Sequence, residues 1–108
     1  MEAQLKRGLL EVCVLAAIRG ADSYGYQIIK DISPYVEVSE STLYPILRRL
    51  ESGGMLTVRS AEHNGRLRKY YRITPAGLGR LSDFAGEAKQ IRSICDYIME
   101  EGHSGDET

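Results

Sequence analysis

The sequence predicts a mainly α-helical fold with one small β-hairpin, in which three short helices precede the hairpin and one long helix follows it. Three features of the chain support this fold class. Apolar residues recur at three- and four-residue steps in the first half of the chain, as on the buried faces of helices. The dipeptide Asn64-Gly65 separates two short segments typical of strands. After Pro75, apolar residues follow one another at alternating steps of three and four, as along the seam of a long helix.

The first two helices are predicted over residues 4–19 and 24–32. Gly20 ends the first helix, and Pro34 stops the second. Ser23 precedes the second helix and is a residue type that commonly caps a helix N-terminus. The residues expected on the apolar faces of these two helices are Leu5, Leu9, Leu10, Val12, Cys13, Ala16, Ala17, Ile28, Ile29 and Ile32.

The third helix is predicted over residues 40–52. Ser39 is its candidate N-cap, and the Gly53-Gly54 pair terminates it. Pro45 lies inside this helix, where it removes one backbone hydrogen bond and is expected to bend the early turns. The predicted buried stripe consists of Leu43, Ile46, Leu47 and Leu50.

The hairpin is predicted from two strands, residues 55–60 and 67–74, on either side of Asn64-Gly65. Both residue types tolerate the positive φ angles of a two-residue hairpin turn. Tyr70 and Tyr71 alternate faces, so at most one belongs to the core. Three helices followed by a hairpin is the element order of a winged helix-turn-helix, which we assign to residues 1–74.

The last helix, residues 75–101, is longer than a core of this size can cover. Its exposed part therefore needs a partner, and a second copy of the chain is the simplest one. The alternative is a helix that folds back on its own domain. The seam of this helix consists of Leu81, Phe84, Ala88, Ile91, Cys95 and Ile98. Cys95 is interpreted as a small buried apolar residue, with a redox-sensing thiol as the alternative. Residues 102–108 lack apolar side chains and are predicted to form a disordered acidic tail.

Charge is unevenly distributed along the chain of 108 residues and net charge −1. Residues 1–72 carry eleven Lys or Arg and eight Asp or Glu, whereas residues 73–108 carry three and seven. From Arg59 to Arg72 there are five basic residues and one acidic residue, Glu62. Because binding depends on the local potential, this division indicates a nucleic-acid partner for the first part. A soluble hairpin protected from aggregation by its charge is the alternative.

Other function classes have little support in the sequence. The two cysteines lie far apart and form no disulfide framework, which favours a reducing, cytoplasmic setting. No apolar run is long enough for a membrane span, and the N-terminus does not resemble a secretory signal. His63 and His103 show no catalytic or zinc-binding spacing with the cysteines. We therefore expect no enzyme activity, no metal and no cofactor.

Candidate DNA contacts lie on the third helix, on the hairpin and near the start of the first two helices. Hydroxyl groups at a helix start bind phosphate, and an arginine can bind a guanine edge with two hydrogen bonds. The candidates are Ser41, Thr42, Tyr44, Pro45, Arg48, Arg66, Arg68, Lys69, Lys6 and Tyr26. The alternative for Arg48 and Arg49 is a solvated face paired with Glu40 or Glu51. Lys6 is otherwise only a charged helix entry, and Tyr26 is otherwise a packing residue.

Several segments together resemble the PadR family of transcriptional regulators. The resemblance covers about residues 4–77, and the Thr-Leu-Tyr-Pro and Arg-Lys-Tyr-Tyr segments are specific in combination. The chain differs from the common pattern at Tyr24, Ser41 and Leu67, where His, Gly and Pro are frequent. The matching segments are Gln4-Leu5-Lys6-Arg7-Gly8-Leu9-Leu10-Glu11, Tyr24-Gly25-Tyr26, Ser39-Glu40-Ser41-Thr42-Leu43-Tyr44-Pro45 and Gly65-Arg66-Leu67-Arg68-Lys69-Tyr70-Tyr71-Arg72-Ile73-Thr74-Pro75-Ala76-Gly77.

The resemblance implies a homodimer of the compact subgroup with a single C-terminal helix, in which that helix and the first helix form the interface. Leu5 and Leu9 thereby join the seam residues at the expected interface. It further implies a repressor that binds a palindromic operator in double-stranded DNA and is released by a small, often aromatic, molecule. Phe84 and Tyr97 are the candidates for an effector pocket. The main alternative is a winged-helix module that binds an acidic partner protein, and another is a DNA-binding regulator without an effector.

Overall fold

The computed structural model describes residues 1–100 and confirms the predicted order of elements within that range. The elements are the helices α1 (Ala3–Ala17), α2 (Gly25–Ile32) and α3 (Glu40–Ser52), the strands β1 (Leu56–His63) and β2 (Arg66–Ile73), and the helix α4 (Pro75–Met99). The predicted tail at residues 102–108, and the last residue of the predicted C-terminal helix, lie outside the described residues.

Helix α1 buries a different stripe from the one we predicted. Glu2 is its N-cap, and a carboxylate oxygen of Glu2 accepts the Leu5 N–H at 2.9 Å. Hydrogen bonds from the backbone N–H groups of Leu5 and Gln4 lower the pKa of this carboxyl group. Leu5 is exposed and Leu9 half-buried, so these two residues of the predicted apolar face do not enter the core of one chain, and their place at a dimer interface stays a prediction. The residues near or in α1 that enter the core are Leu10, Val14, Leu15 and Ile18.

The segment before α2 also differs from the prediction. The N-cap position is Tyr24, and Ser23 instead pairs with Tyr71 of β2. The Ser23 N–H donates to the Tyr71 carbonyl at 3.1 Å, and the Tyr71 N–H donates to the Ser23 carbonyl at 2.7 Å. Ser23 was wrongly predicted to cap α2, because its extended backbone lies against the hairpin, one residue before the cap.

Helix α3 follows the prediction closely. Its buried residues are the predicted Leu43, Ile46, Leu47 and Leu50. Ser39 occupies the N-cap position, but its side chain accepts no N–H of α3; its hydroxyl lies within hydrogen-bonding distance of the Ser41 and Thr42 hydroxyls. At the C-terminus Gly54 adopts a positive φ of 76°, and the Met55 N–H donates back to the Leu50 carbonyl.

The hairpin has the predicted turn and a longer first strand, while the second strand is shifted by one residue toward the turn. Asn64 and Gly65 both have positive φ, 54° and 80°, as a two-residue turn of type I′ requires. The pairing continues to His63 opposite Arg66, so β1 extends three residues beyond its predicted end. Of the two adjacent tyrosines only Tyr71 is buried, which agrees with the prediction that at most one of them belongs to the core.

Helix α4 begins at Pro75, as predicted, and its first turn belongs to the core of the domain. The Thr74 hydroxyl accepts the Gly77 N–H at 3.1 Å and donates to the Gly54 carbonyl at 2.7 Å. Gly77 is buried against Met55 and Ile73. The following seam residues, Leu81, Phe84 and Ala88, are half-buried, and residues 89–100 are all exposed.

The projecting α4 gives the molecule extents of 65 × 26 × 21 Å and a radius of gyration of 17.1 Å. A compact chain of this length has a radius of gyration of about 13 Å. Within residues 1–100, no helix has both the length and the apolar character needed to span a membrane.

Candidate nucleic-acid interface

A cleft of about 740 Å³ lies between the hairpin and the N-terminal ends of α2 and α3. Four tyrosines, a histidine and three basic side chains contribute to its surface, so it combines hydroxyl donors with positive charge. Its lining residues are Tyr24, Gly25, Tyr26, Tyr44, His63, Asn64, Arg66, Leu67, Arg68, Lys69 and Tyr71. Five of these residues are predicted DNA contacts, and a sixth, Leu67, lies between two of them in the hairpin. The five are Tyr26, Tyr44, Arg66, Arg68 and Lys69.

The polar side chains of α3 are exposed, as expected opposite its buried stripe, but they lie on two sides of the helix. Tyr44 and Arg48 face the hairpin and share a small cleft with Lys69. Thr42 and Pro45 instead line a cleft of about 530 Å³ against the start of α1. Ser41 is exposed in the first turn. The fold therefore brings the predicted residues of α3 together with the hairpin on one side and with α1 on the other.

Tyr44 is held in place by close packing against α2. A Cβ atom at Gly25 would collide with the Tyr44 hydroxyl, so a larger residue there would require the Tyr44 ring to move from its present position. Behind it, burial raises the pKa of the Tyr71 hydroxyl, with a further contribution from neighbouring Tyr44. Tyr44 remains 37% exposed, so one edge of the ring faces solvent in the cleft.

The two arginines of α3 differ in their surroundings. The Arg49 Nε atom lies 3.4 Å from a carboxylate oxygen of Glu11 on α1, so Arg49 pairs with neither Glu40 nor Glu51, the partners in the alternative interpretation. Arg48 forms no ion pair within 4.0 Å among residues 1–100. Its guanidinium is therefore free of acidic partners in the part of the chain that the structure describes.

The register of the hairpin places its basic side chains on two faces. Lys69 shares a face with Tyr71, on the side of α3. Arg66 and Arg68 lie on the opposite face. Arg68 is half-buried, with its guanidinium carbon 3.9 Å from the centre of the Tyr24 ring, whereas Arg66 and Lys69 are exposed.

A salt-bridge cluster at the base of the hairpin was missed by sequence reasoning. Asp22, in the loop after α1, accepts from Arg72 at 3.0 Å and from Arg59 at 3.3 Å. The hydrogen bond from Arg72, followed by the Arg72 charge and the Arg59 contacts, lowers the pKa of the Asp22 carboxyl group. These partners are 50 and 37 residues away in the chain, and no local sequence pattern connects them.

The remaining predicted contacts occupy the edges of the two clefts. Lys6 is half-buried in the cleft between α1 and α3, beside Arg7. Tyr26 is exposed at the mouth of the 740 Å³ cleft, with the Lys30 ammonium 5.8 Å from its ring centre.

The predicted interface and effector residues lie along α1 and α4. Within one chain, Cys95 is exposed rather than buried, as are Ile91 and Ile98. Phe84 and Tyr97 lie about 20 Å apart along α4, given a rise of about 1.5 Å per residue, so a single chain does not bring them together. Among residues 1–100, no three His, Cys, Asp or Glu side chains are grouped as a metal site would require.

The arrangement of three helices, a hairpin that follows the third helix, and a long last helix defines the class of winged helix-turn-helix proteins. Residues 14–83 match the model of the transcriptional regulator PadR-like family. The chain belongs to this family of PadR-like transcriptional regulators, and the resemblance seen in the sequence is confirmed.

Known relatives agree with this assignment. Transcriptional regulator Rv3488 of Mycobacterium tuberculosis is 32% identical over 81 residues, which cover 74% of this chain and 76% of the relative. The crystal structure of smu.1704 from Streptococcus mutans UA159 has a TM-score of 0.79 and 39% identity, and the match covers 93% of this chain and 94% of that one. A transcriptional regulator from Clostridium thermocellum has a TM-score of 0.82 at 29% identity, over 90% and 99% of the two chains.

Proposed function

We propose that the protein is a dimeric transcriptional repressor that binds a palindromic operator in double-stranded DNA. The observation that carries the proposal is the row of exposed cations around the hairpin. Arg48 of α3 shares a small cleft with Lys69, and Lys69 also lines the 740 Å³ cleft together with Arg66. Family membership supports the regulatory role. The same role implies a cytoplasmic protein without catalytic function or cofactor.

In this proposal α3 enters the major groove. Arg48 reads a base edge, because its guanidinium has no acidic partner among residues 1–100 and is exposed. Ser41, Thr42 and Tyr44 donate hydroxyl hydrogen bonds to phosphate, and Pro45 contributes an apolar contact at the same surface. Lys6 and Tyr26 contact the DNA backbone from the edges of the two clefts.

The hairpin is the proposed wing and binds the adjacent DNA backbone or minor groove. Arg66 and Lys69 are exposed on its two faces, so together they present positive charge to both sides of the tip. Arg68 adds charge to the same region. Because such contacts release counterions, binding should weaken steeply as salt increases.

Dimerisation is proposed through α4 and the start of α1. Exposed large apolar side chains on α4 include Ile91 and Ile98, the latter 67% exposed, and Leu5 on α1 is 55% exposed. A second copy covers these residues along with Leu9, Leu81, Phe84, Ala88 and Cys95. Two-fold symmetry then places two copies of α3 about 34 Å apart, one turn of DNA.

A small aromatic effector is proposed to release the repressor by binding between the two subunits. Phe84 and Tyr97 are too far apart in one chain to share a ligand. An antiparallel pair of α4 helices brings Phe84 near Tyr97 of the partner subunit, which makes a pocket only in the dimer. A ligand there shifts the relative angle of the two DNA-binding domains.

The experiment that tests the proposal is selection of genomic DNA. Sheared DNA of the source organism is incubated with the purified protein at moderate salt, and the retained fragments are sequenced. An enriched inverted repeat is the expected result. Retention without a motif contradicts an operator-specific repressor. Failure to retain DNA favours the rival function, a winged-helix module that binds an acidic protein through the same cations.

A further inference from the structure

We propose that Tyr24 and Arg68 form a contact that sets the angle of the wing, and that Arg68 is therefore a positioning residue. The contribution to DNA affinity rests on the proposed function, but the contact itself can be tested without DNA. This assignment separates Arg68 from Arg66 and Lys69, which have the same charge and lie next to it in the hairpin.

The contact belongs to a column in which two aromatic rings lie between two guanidinium groups. The Arg68 guanidinium lies 3.9 Å from the centre of the Tyr24 ring. Tyr24 meets Tyr70 edge to face, with ring centres 5.8 Å apart and planes at 74°. The Arg59 guanidinium lies 4.7 Å from the Tyr70 ring centre on the cross-strand neighbour. Aromatic pairs and guanidinium–ring contacts at these distances are attractive.

The place of this column in the fold explains what it can do. The hairpin is tied to the helical domain by the backbone pairing of Ser23 with Tyr71. Beyond Tyr71 toward the tip, the outer edge of β2 has no further strand beside it among residues 1–100. Arg68 lies in that unsupported part, and Tyr24 is the residue between Ser23 and α2. The contact of Arg68 with Tyr24, the N-cap residue of α2, therefore supports the hairpin beyond the Ser23–Tyr71 pairing, closer to the tip.

The other end of the column is fixed by charge. Asp22 bonds both Arg59 and Arg72, so the three-residue segment 22–24 contacts the hairpin through an ion-pair site, a backbone pairing and a ring. These contacts hold two of the five basic residues of the hairpin at its base. The other three basic residues have no acidic partner among residues 1–100: Arg68 lies on the Tyr24 ring, and Arg66 and Lys69 are exposed near the tip.

The chemistry of arginine suits a stacked role at this position. A guanidinium is flat and weakly hydrated, so it stacks on a ring at little cost in hydration. Its N–H groups lie in its plane, so the Tyr24 ring fixes the direction in which Arg68 can donate, and Arg68 can turn toward the DNA backbone only by leaving the ring. Arg66 and Lys69 have no such ring contact within residues 1–100.

The first test is hydrogen exchange of the hairpin amides in the free protein. Tyr24→Leu removes the ring but keeps an apolar side chain, and we expect about two- to fivefold faster exchange at the tip, as loss of an exposed cation–π contact implies. Tyr24→Phe keeps the ring and should exchange like the wild type. Tyr26→Leu is the matched control, since Tyr26 does not contact the hairpin cations in these stacks. Equal exchange in Tyr24→Leu and the wild type would overturn the proposal.

The second test is a double-mutant cycle of operator affinity with Tyr24→Leu and Arg68→Gln. If both act through one contact, each change weakens binding about two- to fivefold and the double variant weakens it little further. The salt slope should fall by about 0.9 in Lys69→Gln but by less than half as much in Arg68→Gln. Additive losses with a full decrease of the slope would make Arg68 a phosphate contact and contradict the proposal. If the wild type binds no operator, the proposed function fails, and hydrogen exchange still decides the wing contact.

Discussion

Gly77 determines how closely the first turn of α4 can approach the hairpin. A Cβ atom there would collide with the backbone carbonyl of Met55 and lie 2.6 Å from a side-chain carbon of Ile73. The carbonyl belongs to the backbone and cannot rotate away. The absence of one carbon atom therefore allows the long helix to join the core at its N-terminus.

Gly77→Ala should lower the free energy of unfolding by about 1–3 kcal/mol, because the added methyl group forces the helix away from β1 and β2. Gly86→Ala is the matched control in the same helix, since a Cβ there meets no atom within 4 Å in the described chain. It should stabilise the protein by about 0.5–1 kcal/mol through helix propensity. Thermal unfolding of both variants gives the comparison; equal melting temperatures would refute the packing argument.

Arg48 and Lys69 lie close together but have different proposed roles. Arg48→Ala should reduce the ratio of operator to random-DNA affinity by about five- to 150-fold, the effect of roughly 1–3 kcal/mol for one base contact. Lys69→Ala should weaken both affinities by similar factors, since phosphate carries no sequence information. Titrations of both DNAs by fluorescence anisotropy distinguish these outcomes. A selective loss at the operator in Lys69→Ala would reverse the assignment for Lys69.

At the scale of elements, the loop between α1 and α2 determines how the hairpin sits on the helices. The loop supplies Asp22 to two arginines and the Ser23 backbone to β2. The Ser23 hydroxyl is buried and has no hydrogen-bond partner among residues 1–100. The short loop thus holds the side of the two-stranded hairpin against the helices. Within the loop, the Asp22 carboxylate has hydrogen-bond partners and the Ser23 hydroxyl has none among the described residues.

This attachment should depend on pH. Hydrogen bonds and charge from the two arginines hold the pKa of Asp22 below its ordinary value of about 4 in the folded protein. The stability that these ion pairs contribute is therefore fully present above about pH 4. It is lost as the pH falls through the lowered pKa of Asp22. Asp22→Asn should therefore melt at a lower temperature than the wild type at pH 7, and the difference should disappear in stronger acid. Asp83→Asn, which changes an exposed carboxylate without an ion pair in the described chain, is the control. A difference that grows below pH 4 would contradict this account.

At the scale of the whole molecule, the C-terminal half of α4 projects from the domain, and nothing in the same chain covers its apolar side chains among the described residues. From residue 89 onward its side chains are all exposed, although Ile91, Ile94 and Ile98 are apolar. An exposed apolar seam of this kind is typical of a helix that packs against another subunit.

We therefore expect twice the chain mass of 12.1 kDa in analytical ultracentrifugation at micromolar concentration. Ile91→Glu should shift the protein to the monomer, because two carboxylates at a two-fold interface lack partners. Gln90→Glu places the same charge one residue away, off the seam, and should remain dimeric. A monomeric wild type would leave the seam without its proposed function and would remove the symmetry argument for a palindromic operator.

Agreement between sequence and structure was greatest where a pattern is local. The stripe of α3, the Asn64-Gly65 turn and the start of α4 at Pro75 all follow from residues within one or two turns of each other. In α1 the predicted apolar face included Leu10 but not Val14 or Leu15, which also enter the core, because burial depends on where the neighbouring elements pack. The same limit applies to the candidate site. The helical pattern predicted that the polar side chains of α3 are exposed, but it did not predict that they line two separate clefts.

The family could be inferred from the sequence because its motifs are contiguous segments. The order of helices and hairpin and the concentration of positive charge in the wing could be inferred as well, because periodicity, turn chemistry and charge depend on neighbouring residues. The folded structure was needed to show that Asp22 pairs with Arg59 and Arg72, that Ser23 pairs with the hairpin instead of capping α2, and that Arg68 stacks on Tyr24. Each of these contacts joins residues far apart in the chain, so its existence depends on how the loop after α1 meets the hairpin in the folded molecule.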